Sequence, residues 1–121
     1  MATIAMIGAG ATTFPRTLLG DIISFPTLDD STLSLMDIDG ERLSRTKRIA
    51  EAMVKENDAA LSIEATTELE EALADADYVL NVIHVGGAEP FENEIQIPEA
   101  YGVGQAVGDT MGPGGVFRLL R

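Results

Sequence analysis

The sequence predicts an α/β fold, a Rossmann-type parallel sheet flanked by helices, and three observations point to it. The chain opens on a short apolar, β-capable run, Thr3 to Ile7, which enters a glycine turn, Gly8-Ala9-Gly10, and then an amphipathic stretch from about Thr13. Apolar runs then alternate with helical patterns through the first two thirds of the chain, as in successive βαβ units. A carboxylate, Asp37, follows the second apolar run directly.

Each element has its own signal. The first strand is Thr3 to Ile7. A helix over roughly Thr13 to Ser24 carries Phe14, Leu18 and Ile22 at four-residue spacing, and Pro26 stops it. The second strand is Thr32 to Met36. Asp39 can cap a long helix through about Asn57, with Leu43, Ala50 and Val54 facing inward. The third strand is read as Leu61 to Ala65. Thr67 and Glu70 have capping-box spacing for a short helix through about Ala74. The fourth strand, Tyr78 to Ile83, is nearly continuous in apolar residues, as in a strand covered on both faces. Beyond it glycine and proline crowd the sequence. A short helix fits between Glu89 and Ala100, and Val116 to Arg121 reads as the opening of another. Because the last pattern stops mid-element, residues 1–121 are expected to be one nucleotide domain of a longer protein, ending before a catalytic domain.

With 121 residues, 45% of them hydrophobic, the chain can bury one sheet and its helices but not a second full domain. No apolar run approaches the roughly 18 residues of a membrane span, and no secretory leader pattern is present, so the cytoplasm is the expected location. The net charge of −12 argues against nucleic acid or an anionic membrane as partner. Lys47 and Lys55 are the only lysines. An acid-rich, lysine-poor surface is a pattern of salt-adapted proteins.

A strand, a glycine turn and a helix form the device that a Rossmann unit uses to hold a pyrophosphate. Gly8 permits the tight turn, Gly10 a close approach, and Ala11 and Thr12 lead into the helix. Thr13 stands where the usual fingerprint has its third glycine, so the turn alone is a generic signal. Asp37 strengthens it, because an acid after the second strand receives the ribose hydroxyls. Its spacing slightly exceeds the usual one, and the loop from Phe25 to Asp30 accounts for the excess. A carboxylate there repels a 2′-phosphate and favours NAD over NADP. Asp39 caps the following helix instead.

After the fourth strand, Val85, Gly86 and Gly87 stand where a Rossmann loop passes the cofactor. Asn81 either bonds a neighbouring loop or faces cofactor or substrate; His84, the only histidine, is given no role. The segment Gly108-Asp109-Thr110-Met111-Gly112-Pro113-Gly114-Gly115 has more glycine than one turn needs, as in an anion nest or a linker. Arg118, read near a helix start, needs an anion close by, from a sugar or a carboxylate.

Together these segments resemble the N-terminal part of glycoside hydrolase family 4. The resemblance rests on Ile7-Gly8-Ala9-Gly10-Ala11-Thr12, Leu35-Met36-Asp37-Ile38-Asp39 with Arg42-Leu43, Val85-Gly86-Gly87, Ile97-Pro98 with Tyr101-Gly102, and Gly108 through Arg121. The last segment resembles the α-galactosidase, α-galacturonidase and α-glucosidase branch more than the 6-phosphoglycosidases. The resemblance implies NAD as cofactor, oxidation of the sugar at C3, loss of the C2 proton to a tyrosine, elimination of the glycosidic bond, then addition of water and return of the hydride. It implies Mn2+ at the C2 and C3 oxygens, and a homo-oligomer when full-length. The family's metal ligands, a cysteine and a histidine, and its tyrosine base belong to a later region, so this sequence offers no catalytic residue and no metal ligand. Carried over, Gly8, Gly10, Ala11 and Thr12 match the pyrophosphate turn and Asp37 the ribose acid. Val85, Gly86, Gly87, Thr110 and Gly112 match the cofactor side, and Asp109 and Arg118 the substrate side.

Two other readings compete. One is the nucleotide domain of an NAD-dependent 2-hydroxyacid dehydrogenase of the lactate and malate type. The absence of arginine from Ala88 to Glu99, where such enzymes usually carry a catalytic arginine loop, weighs against it. The other is a stand-alone nucleotide-binding module, against which the broken last helix weighs.

Overall fold

The computed structural model describes residues 1–11, 13–83, 85–104 and 112–120, with the side chain of Leu119 left aside. Readings that fall on Thr12, His84, Asp109 and Thr110 therefore lie outside the described residues. The chain divides into two compact units, Met1–Ile83 and His84–Arg121.

The first unit is a parallel four-stranded sheet. Strands β1 (Thr3–Ile7), β2 (Thr32–Met36), β3 (Ser62–Thr66) and β4 (Tyr78–Asn81) stand in the order β3-β2-β1-β4. Helices α1 (Thr13–Ser24), α2 (Gly40–Glu56) and α3 (Leu69–Leu73) make the crossovers. Period-two alternation sends Ile4, Met6, Leu33 and Leu35 to one face, where they pack with Leu19 and Ile22 of α1 and Leu43 and Ala50 of α2. Ala5, Ile7 and Met36 point to the other face, against Ala72 of α3. The α1–α2 face thus holds large side chains and the α3 face mostly small ones.

Local chemistry sets the helix ends. The Asp39 carboxylate accepts hydrogen bonds from the Glu41 and Arg42 N–H groups at 3.0 Å each, as expected of an N-cap. The capping box expected of Thr67 and Glu70 does not form: the N-cap of α3 is Glu68, whose side chain makes no cap hydrogen bond, and the contacts just before the helix come from Thr66. The Thr66 hydroxyl accepts from the Glu68 N–H at 3.1 Å and donates to the Glu71 carboxylate. In α1 the buried stripe is Pro15, Leu19 and Ile22, while Phe14 is exposed. Strand β4 corrects the expectation of cover on both faces. Among the described residues it pairs only with β1, and Tyr78 and Val79 are more than half exposed. An apolar run reports β-forming residues, not how many neighbours cover them.

The second unit contains α4 (Ala88–Ala100) and α5 (Pro113–Leu119), packed on each other. Helix α5 begins three residues before the expected Val116, because Pro113 has the φ and the missing N–H that suit a first helical position. Among the described residues, no helix is long and apolar enough to cross a membrane.

Candidate functional site

Strands β1 and β2 run parallel with Ile7 opposite Met36, so their carboxyl ends finish side by side. The residues that leave them are Gly8 and Asp37. Strand order reverses at β1, with β2 on one side and β4 on the other; the crevice at such a switch point is where open α/β sheets bind ligands.

Gly8 is at φ +88°, and a Cβ there would lie 2.8 Å from the Val82 carbonyl carbon and oxygen. Only glycine combines that backbone with that approach. The Gly8 and Ala9 N–H groups both donate to the Met36 carbonyl at 2.9 Å. The Gly10 N–H donates to Asp37 Oδ2 at 2.8 Å, and the Asp39 N–H donates to Asp37 Oδ1 at 2.9 Å. A Cβ on Gly10 would meet Asp37 Oδ2 at 2.6 Å. The missing side chain of Gly10 therefore makes room for the acid. This refines the sequence reading. The turn's first N–H groups are engaged inside the protein, which leaves the opening of α1, where a helix has N–H groups without intrahelical partners, as the source of donors for a ligand. Ala11, the last described residue before α1, is exposed.

One contributor went unread in the sequence. Thr46 of α2 is buried, and its hydroxyl donates to the Ala9 carbonyl at 2.8 Å. Its signal was a hydroxyl on an otherwise apolar stripe, between Leu43 and Ala50. Asn81 takes the local alternative: its Oδ1 accepts from the Ile83 N–H at 3.2 Å.

The second unit carries the remaining described candidates. Val85 is exposed, Gly86 and Gly87 lie at φ 94° and 74°, and Gly87 caps α4. Gly112 caps α5. Arg118 sits in the last turn of α5 and not near its start, so its charge is favourable to the helix dipole. Its anion is Glu94 of α4: Nε and Nη2 each lie 2.6 Å from Glu94 Oε2. The guanidinium also lies over the Phe91 ring, 5.2 Å from its centre. Of the two anion sources the sequence left open, the structure supplies the carboxylate. Among the described residues, no cluster of three His, Cys, Asp or Glu side chains could hold a metal ion.

Residues 3–121 match the model of the family 4 glycosyl hydrolases. The chain belongs to this family. It is 40% identical over 114 residues to an α-galactosidase of Rhizobium meliloti, a match that covers 94% of this chain and 23% of that protein. It is 36% identical over 121 residues to an α-galacturonidase of Thermoanaerobacterium saccharolyticum, covering 98% of this chain and 26% of that protein. A 6-phospho-β-glucosidase from Thermotoga maritima, solved with manganese, NAD+ and glucose-6-phosphate, superposes with a TM-score of 0.77 at 28% identity, over 99% of this chain and 28% of that one. The chain thus spans about a quarter of the length of these family 4 relatives. Family 4 membership sets aside the hydroxyacid dehydrogenase reading.

Proposed function

We propose that residues 1–121 form the NAD-binding domain of a family 4 glycosidase that cleaves unphosphorylated α-glycosides by oxidation, elimination, addition and reduction. The observation that carries this is the 2.8 Å link from the Gly10 N–H to the Asp37 carboxylate at the switch point of the sheet. The site fits the cofactor. Each carboxylate oxygen of Asp37 has two acceptor positions and one protein N–H, so the pair can still receive the two hydroxyls of a ribose. The turn has no side chain at Gly8 or Gly10 to obstruct a pyrophosphate, and α1 supplies N–H donors and a positive dipole end. When bound, NAD supplies reversible hydride transfer at the sugar.

In this reading Gly8, Gly10, Ala11 and Thr12 form the turn beside the pyrophosphate, the glycines by leaving room for it, and Asp37 takes the ribose. Val85, Gly86 and Gly87 belong to the loop beside the cofactor, Thr110 and Gly112 line the nicotinamide side, and Asp109 reaches the substrate. Arg118, already engaged with Glu94, fits a role in holding α5 to α4 better than one at the sugar. The α-glycosidase names of two relatives support the substrate class. Mn2+ belongs with the part of the whole enzyme that lies outside this sequence, and the whole enzyme is read as a cytoplasmic homo-oligomer.

Calorimetry on folded protein tests the proposal. NAD is expected to give a saturable heat and NADP a weaker one. Asp37→Ala is expected to weaken NAD by about 10- to 100-fold, the worth of hydrogen bonds to a charged acceptor. No heat at millimolar NAD would refute the reading. The 121-residue chain is expected to leave p-nitrophenyl α-galactoside intact even with NAD, Mn2+ and thiol.

A further inference from the structure

The Ala9 carbonyl and the Gly10 N–H belong to one peptide unit, and two side chains grip it from opposite ends. Thr46 Oγ1 donates to the Ala9 oxygen at 2.8 Å, and Asp37 Oδ2 accepts from the Gly10 nitrogen at 2.8 Å. Thr46 comes from α2, 37 residues along the chain, and Asp37 from the end of β2. Ala9 is fully buried, so its carbonyl has to find its donor inside the protein. The Thr46 hydroxyl has a second acceptor, the Arg42 carbonyl one helical turn back, at 3.3 Å. One hydrogen cannot serve both at once, and the Ala9 bond is the shorter.

Gly10 makes this grip consequential. Its backbone has few steric limits, so a peptide plane beside it can rotate at little cost. Rotation would turn the Gly10 N–H away from Asp37 and change how the chain enters α1. We propose that Thr46 is a positioning residue of the dinucleotide site, its hydroxyl locking the Ala9–Gly10 peptide so that Asp37 and the opening of α1 are set for a ligand before it arrives. This rests on the NAD reading above, and its test separates the two.

Thr46→Val removes the hydroxyl at nearly constant shape, and Thr46→Ser keeps it. The first readout needs no ligand. By NMR hydrogen exchange, the Gly10 amide is expected to exchange at least about tenfold faster in Thr46→Val than in the parent, with the amides of Ala50 and Met53 in α2 unchanged. The second is calorimetry. NAD is expected to bind about three- to tenfold more weakly to Thr46→Val, and within about twofold of the parent to Thr46→Ser. Thr46→Ala provides a second hydroxyl-free form should valine prevent folding. Unchanged Gly10 exchange in the hydroxyl-free variants overturns the proposal, and so does equal weakening by valine and serine. A parent that binds no NAD while its Gly10 amide responds to Thr46→Val supports the lock and refutes the ligand.

Discussion

The two compact units are held by opposite kinds of interaction. In Met1–Ile83 the main core is built of large apolar side chains: Ile4, Met6, Leu33 and Leu35 interlock with Leu19, Ile22 and Leu43. In His84–Arg121 the buried residues among those described are Glu94, Pro98, Gly114 and Gly115. Four large apolar side chains of that unit, Ile97, Tyr101, Phe117 and Leu120, are exposed around a groove of about 720 Å³. Burial of apolar area is non-directional and spreads stability over many residues. A carboxylate–guanidinium contact is directional and concentrates it in two. The first unit should therefore yield to cavities, and the second to loss of one charge.

The largest expected effect comes from the sheet. Leu33→Ala opens a cavity between β2 and the α1–α2 layer and should cost roughly 2–5 kcal/mol in urea unfolding. Phe117→Ala removes a larger side chain, but one 68% exposed, and should stay within about 0.5 kcal/mol. Similar costs for the two would break the comparison. Next is Glu94→Gln, which keeps the shape and removes the charge opposite Arg118. Breaking a fully buried pair costs about 3–5 kcal/mol. The Arg118 side chain is 21% exposed, so about 2 kcal/mol is expected, read as faster hydrogen exchange in α4 and α5. Unchanged rates there would mean that the pair does not hold the unit.

The same contrast explains what could be read in the sequence. In the first unit, strand positions and the Asp39 cap follow from neighbours a few residues away, and the alternation of β1 and β2 follows from the pleat. The errors there are small rotations. The α1 stripe turned from Phe14 and Leu18 to Pro15 and Leu19, because two overlapping stripes share Ile22. Strand β4 looked central because its composition resembles β1, yet among the described residues no second strand pairs with it. Thr46 and Glu94 were not legible, since their partners lie 37 and 24 residues away. In the second unit the glycine segment matched a family without disclosing its local structure. The start of α5 had to be learned from Pro113, and the direction of Arg118 from Glu94.

A third, smaller effect is the Asp39 cap. Asp39→Ala removes the oxygen that accepts from two N–H groups at the start of α2 and an exposed contact to Arg42 at 3.3 Å. The contact contributes little in solvent, so the loss should be about 1 kcal/mol, the usual worth of an N-cap. Asp39→Asn should recover most of it in a thermal melt. If asparagine and serine both fail to recover it, the Arg42 pair, and not capping, sets the cost.

Smallest is the response to salt, where two effects oppose each other. The exposed i,i+3 and i,i+4 pairs of α2, Arg42–Asp39, Arg45–Glu41 and Lys47–Glu51, are each worth at most about 0.5 kcal/mol, and added salt screens them. Against them stands the self-repulsion of a chain with net charge −12, which the same salt relieves. Fifteen carboxylates face six cations in residues 1–83, so most of that repulsion lies in the sheet unit, on the surface that carries these three pairs. Repulsion involves every carboxylate, whereas the attraction is confined to a few contacts, so relief should win. The melting temperature is expected to rise by about 2–5 °C between 0.05 and about 1 M KCl, equivalent to less than 1 kcal/mol for a domain of this size. A melting temperature that falls instead would show that the α2 pairs outweigh the excess charge, and would remove the case for a salt-adapted surface.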